Sequence, residues 1–133
     1  MEKTKLLIFG LLFLMFQSCQ TPESLRGFDS DTWKADRYAC NGEREKLIPA
    51  FEKIRKELYG KKEYIVRNVL GKPDKENLLE RSQRIYYYYL EPGSQCQDPQ
   101  TLSDVIRAEV RINSLGKVSE ITYNHPDKIK KPE

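Results

Sequence analysis

Three cysteines are the residues of this chain whose type and setting could do chemistry: Cys19, Cys40 and Cys96. Cys19 ends the one long apolar run, Leu6 to Phe16, with Lys3 and Lys5 before it and Gln17-Ser18 between. A basic start, a short apolar stretch and a small residue directly ahead of a cysteine form a bacterial lipoprotein signal. Residues 1–18 are then removed, and Cys19 becomes the acylated first residue. The run is too short to span a bilayer, which takes roughly 20 apolar residues. Several acyl chains on one cysteine anchor durably where a single chain does not. The alternative is an ordinary cleaved signal with Cys19 incidental: Ser18 suits either peptidase, and Phe16 and Gln17 are unusual ahead of an acylated cysteine. Gln20 in place of an aspartate leans toward the outer membrane. The expected address is the cell envelope, held by lipid.

A lipid on Cys19 leaves an even pair. In an oxidising compartment Cys40 and Cys96 are expected to bridge; two free buried thiols are the alternative. A zinc site needs four closely spaced ligands, and His125 is the single histidine. No Cys-x-x-Cys is present, so Trp33 near Cys40 reads as a ring packing beside a disulfide rather than a redox site. Asp29, Asp31 and Asp36 read as helix caps, since the glycine and terminal glutamate of a calcium loop are missing. No serine-hydrolase, phosphate-loop or zinc-hydrolase motif occurs. The expectation is no catalytic residue, no metal, no cofactor and no small-molecule substrate.

The tyrosine run is the most conspicuous remaining constellation. On a strand, Tyr86 and Tyr88 face one side and Tyr87 and Tyr89 the other. One pair is expected under helices and the other on an open face. There the rings, with Arg107 and Arg111, are candidates for a binding surface, because tyrosine joins apolar area to a hydroxyl. The competing reading packs the rings against the aliphatic stems of the two arginines. Nucleic acid is not expected as a partner. The chain carries a net +3, residues 1–18 hold a net +1, and so the remaining side chains total +2. Acids and bases interleave, as in Glu43-Arg44-Glu45-Lys46, which reads as a solvated helix face.

These residues must be positioned by about 115 residues, one domain's worth. Residues 19–28 hold Pro22 and Gly27 and no hydrophobic period, which suggests a tether. A helix is expected after the Asp29-Ser30-Asp31 caps, with Trp33, Arg37 and Cys40 on one face. A second follows the period Leu47, Phe51, Ile54, Leu58, and a third spans 62–70 and stops at Gly71. The period then changes. Strands are expected over 85–90, 105–112 and 117–123, the last two joined by Asn113-Ser114-Leu115-Gly116. Residues 124–133 read as a loose tail. The fold class expected is α+β: N-terminal helices on a three-stranded antiparallel sheet, a single domain over 29–123.

Val69-Leu70-Gly71-Lys72-Pro73-Asp74 closing a short helix, the tyrosine strand, and the hairpin with Gly116-Lys117-Val118 together resemble the BamE/SmpA outer-membrane lipoproteins. The resemblance implies a two-layer sandwich, shared in outline with β-lactamase-inhibitor proteins, and a non-enzymatic role in outer-membrane assembly through an envelope protein partner. Trp33-Lys34-Ala35-Asp36-Arg37, Cys40-Asn41-Gly42 and Glu91-Pro92-Gly93-Ser94-Gln95-Cys96 are similar to small lipoproteins of the Bacteroidetes group. A protein-inhibitor module and a small enzyme working through acids or tyrosines are the alternative functions.

Overall fold

The computed structural model describes residues 20–130. Asp29 accepts a hydrogen bond from the Thr32 amide and caps helix α1, Ser30–Ala35. This helix is shorter than the spacing of Trp33, Arg37 and Cys40 suggests. Asp36 ends it: its buried carboxylate turns to accept from the Asn41 and Arg44 amides. A side chain bonding backbone groups ahead of it competes with helix continuation. Tyr38 and Ala39 then take left-handed backbone, with φ of 63° and 59°. Helix α2 is Glu43–Lys46, α3 is Ile48–Leu58 and α4 is Glu63–Leu70. Pro49 sits in the first turn of α3, where its missing N–H is tolerated. Gly71, at φ 76°, ends α4.

The sheet has four strands, not three, in the antiparallel order β1-β2-β3-β4. They are β1 Lys75–Leu78, β2 Arg84–Tyr89, β3 Arg107–Ile112 and β4 Val118–Tyr123. The extra strand is β1. Lys75-Glu76-Asn77-Leu78 lacks the β-branched and aromatic residues that mark strands, and its pairing with the tyrosine strand holds it in place. Tyr86 lies opposite Val110 and Tyr88 opposite Ala108, so one face of the sheet turns these side chains toward the helices. Beneath them lie Phe51, Ile54, Leu58, Ile65, Val66, Val69 and Leu70, all in one buried cluster.

Trp33 does not pack beside the disulfide; its place is the centre of this cluster. It stacks on Phe51 with centroids 5.1 Å apart, lies tilted against Phe28 and Tyr88, and carries the Arg44 guanidinium over its ring. Burial of each such ring contributes on the order of 2–3 kcal/mol.

Both expected edges of the domain move outward. Glu23–Leu25 forms a 3-10 turn, and Leu25 and Phe28 are buried in the core, so residues 23–28 are not tether. At the other end Asn124 bonds Val105 and Arg107 backbone, Pro126–Lys128 is a 3-10 turn, and Ile129 packs on the core. The reason is the same at both ends: isolated apolar residues, too few to show a period, reach the one hydrophobic core.

Candidate functional site

The four tyrosines of β2 are buried, including the pair expected on an open face. Tyr86 and Tyr88 lie under the helices. The Tyr88 hydroxyl donates to the Gly71 carbonyl, and burial raises this phenol well above its ordinary pKa of 10. Tyr87 and Tyr89 lie on the other face, where Arg107 covers the Tyr87 ring and residues 101–103 meet the Tyr89 hydroxyl. The Tyr89 hydroxyl donates to the Thr101 carbonyl and accepts from the Ser103 amide. Lys75 Nζ reaches the Gln100 carbonyl at 2.8 Å. Arg107 lies over the Tyr87 ring 5.2 Å from its centroid, pairs with Glu109, and donates to the Ser103 carbonyl. Arg111 is apart from this group, half-buried and paired with Glu120 at 3.6 Å.

The covering segment is bonded to the α1–α2 turn by the Cys40–Cys96 disulfide, which closes a sequence separation of 56 residues. Both half-cystines are exposed. Beside them Gln95 is fully buried; its amide donates to the carbonyls of Tyr38 and Glu91, while its Oε1 has no partner among the described residues.

Beneath the disulfide is a group that sequence reading assigned to solvent. Arg44 and Asp74 form a buried ion pair at 2.6 Å. Asp74 also accepts from the Tyr38 and Tyr89 amides, and Arg44 donates to the carbonyls of Trp33 and Tyr89. One knot thus ties the α1–α2 turn to the entry of β1 and the end of β2. The clue in the sequence was slight: Asp74 follows Pro73 where the chain must enter a sheet, and Arg44 falls eight residues after a capping aspartate.

Two further polar groups brace the helices. The Tyr86 hydroxyl donates to Glu63 and accepts from Arg67, with Arg84 and Glu76 alongside. Burial works to raise the Glu63 carboxyl, but the Tyr86 hydroxyl, Arg84 and Arg67 outweigh it and hold it below its usual range. On the opposite side a cleft of about 290 Å³ is lined by Glu52, Arg55, Ile121, Thr122, Tyr123, Pro126 and Ile129. Its charges are consumed internally: Arg55 grips Glu52 at 2.7 Å and the Ile121 carbonyl at 3.1 Å, and Tyr123 donates to Glu52. A second cleft, bounded by Thr21, Arg26, Phe28, Asp29 and Asn68, lies where the chain enters the fold.

Leu78 and Leu102 are exposed singly, and one end of the molecule gathers the other large exposed apolar side chains. The Gly60 amide donates to the Val118 carbonyl, the Val118 amide to the Lys61 carbonyl and the Glu63 amide to the Gly116 carbonyl, and Lys62 lies opposite Lys117 in an isolated bridge. Tyr59, Tyr64 and Leu115 are exposed here, Leu115 by 79%. Among the described residues no ion pair engages Lys61, Lys62 or Lys117. Like charges directly opposite are destabilising, so this end gains from any acidic neighbour. No residue of this group was singled out from the sequence, because its members come from two distant stretches. Cys19 lies outside the described residues. No helix among them is long and apolar enough to cross a membrane. The chain matches no family model, no curated protein and no solved structure.

Proposed function

We propose that this chain is a lipid-anchored, non-enzymatic protein-interaction module of the cell envelope, working in outer-membrane assembly or maintenance as its resemblance to BamE/SmpA implies. The observation that carries this reading is the end formed by residues 59–64 and 113–117. It joins exposed Tyr59, Tyr64 and Leu115 to three lysines without carboxylate partners. Such an end fits an envelope protein that presents an apolar spot with an acidic rim. Two observations agree with the address: the signal ending at Cys19, and the exposed disulfide, which persists in an oxidising compartment. In the cleft beside β4 the acid and the arginine support a non-enzymatic role by being bonded to one another rather than aimed at open space.

The test is cross-linking in cells of the native host, followed by purification from membranes. Three versions are compared: the natural chain, Cys19→Ala, and Tyr64→Ala/Leu115→Ala. The expected result is one envelope complex recovered with the natural chain and lost in the double variant, whose circular dichroism and disulfide are unchanged. Recovery of a single enzyme that the protein inhibits would replace this reading with the inhibitor one. Recovery that is indifferent to Tyr64 and Leu115 would remove the proposed surface.

A further inference from the structure

Residues 97–102 are exposed at every position, yet they are bonded to the buried Tyr89. The segment has few attachments: Lys75 and Tyr89 reach the Gln100 and Thr101 carbonyls, and the disulfide joins neighbouring Cys96 to Cys40. Residues 103–105 are tied more firmly, by Tyr89, Arg107, Asn124 and His125. Three features around the disulfide are unlike a passive staple. Both half-cystines are open to solvent. Cys40 follows two residues in the left-handed region, where side-chain-bearing residues are strained. Gln95, next to Cys96, is buried with an unpartnered oxygen, and Gly93 is crowded by Val105, Gln95 and Ser103. The aromatic core and the Arg44–Asp74 pair hold helices to sheet without passing through this bond.

We propose that Cys40–Cys96 is a thiol–disulfide exchange site for a dithiol oxidoreductase, and that its reduction lifts residues 97–102 from Tyr89. The thiolate of the reductant attacks one exposed sulfur and forms a mixed disulfide. The other cysteine leaves as a thiolate and takes a proton. The reductant's second thiol then attacks the mixed disulfide and releases the remaining cysteine as a thiol. One cystine becomes two cysteines, and one dithiol becomes a disulfide. The oxidised state keeps Tyr89 covered; the reduced state uncovers it. This inference rests on the bridge and its surroundings and stands apart from the partner proposed above.

The experiment uses the full mature protein in detergent, without denaturant. It is titrated with dithiothreitol, its thiols are trapped by alkylation, and amide hydrogen exchange is followed by peptide. The expected result is alkylation of Cys40 and Cys96 with exchange in residues 97–102 accelerated on the order of tenfold or more, while residues 84–89 and 107–112 keep their protection. Cys40→Ser/Cys96→Ser should show the same pattern without reductant. A thioredoxin lacking its resolving cysteine should be captured as a mixed disulfide. The proposal is overturned if the bond yields only when the domain unfolds, if reduction speeds exchange in every element, if it leaves 97–102 unchanged, or if no mixed disulfide is captured.

Discussion

Removal of the Asp74 carboxylate should destabilise the domain more than any other single polar change. Asp74→Ala leaves three donors facing an apolar void: the Arg44 guanidinium at 2.6 Å and the amides of Tyr89 and Tyr38 at 2.9 and 3.2 Å. The side chains of the pair are 1% and 0% exposed, so water cannot take the missing place. Breaking a buried pair from one side costs about 3–5 kcal/mol, because the stranded charge has lost its hydration as well as its partner. At roughly 4 °C or more per kcal/mol for a domain of this size, the melting temperature should fall by about 15 °C. Arg44→Met tests the other half, and the double variant closes a cycle. Removing both charges spares the stranded ion but leaves the Tyr38 and Tyr89 amides unpaired, so the double variant should recover only part of the loss. The assay is urea unfolding of the oxidised protein, monitored by the fluorescence of Trp33, whose ring sits against Arg44. A loss below about 1 kcal/mol in Asp74→Ala, or strict additivity in the cycle, would refute the claim that this pair is dry and coupled.

Three other outcomes follow from the geometry. Arg81 and Ser82 both have positive φ, 57° and 58°, in the β1–β2 turn, so Arg81→Asn/Ser82→Gly should raise stability by about 1 kcal/mol in the same urea assay. A Cβ on Gly93 would stand 2.5 Å from Val105 Cγ1 and 2.7 Å from Ser103 Oγ, so Gly93→Ala should cost about 1–3 kcal/mol by overpacking and loosen 97–105 in hydrogen exchange. The Tyr88 phenol keeps its proton in the folded protein above its ordinary pKa of 10.0, while the unfolded chain releases it. This phenol therefore takes nothing from stability below pH 10 and about 1.4 kcal/mol per pH unit above it, and the half-buried Tyr123 phenol, raised in the same direction, adds to that slope. Absorbance titration should show these phenols ionising only as the domain unfolds, and Tyr88→Phe should reduce the slope without abolishing it.

The helices on Leu47–Leu58 and 62–70 and the hairpin over 107–123 were legible because each repeats a hydrophobic period long enough to name its partner face. The disulfide was legible from parity and compartment. Strand β1 was not, since a strand of Lys, Glu, Asn and Leu is defined by its neighbour rather than by its own residues. The tyrosines showed where a side chain points but not what lies above it: residues 91–105 have no period, and their course past Tyr89 is set by the Cys96 link and by hydrogen bonds from distant residues. Arg44 shared its local pattern with solvated neighbours, and only Asp74, thirty residues away, distinguishes it. The exposed end escaped notice for a similar reason, because the stretches holding Tyr64 and Leu115 are joined by backbone bonds of Gly60, Lys61 and Glu63 to Gly116 and Val118 rather than by any pattern in the sequence.

The burial of Leu25 bears on how freely the domain could turn. From Cys19 to Pro22, where the first 3-10 turn is capped, is three peptide steps, about 10 Å when fully extended. A domain of this size has a radius of gyration of about 13 Å. With an acyl chain on Cys19, the leash would be shorter than the body it holds. A body so held could not tumble end over end; it would swivel about one point of attachment, near Thr21 and Arg26. Its partners would then meet it at a narrow range of heights and attitudes. Changing the leash by a few residues would alter which surfaces it can reach, with no change to the surfaces themselves.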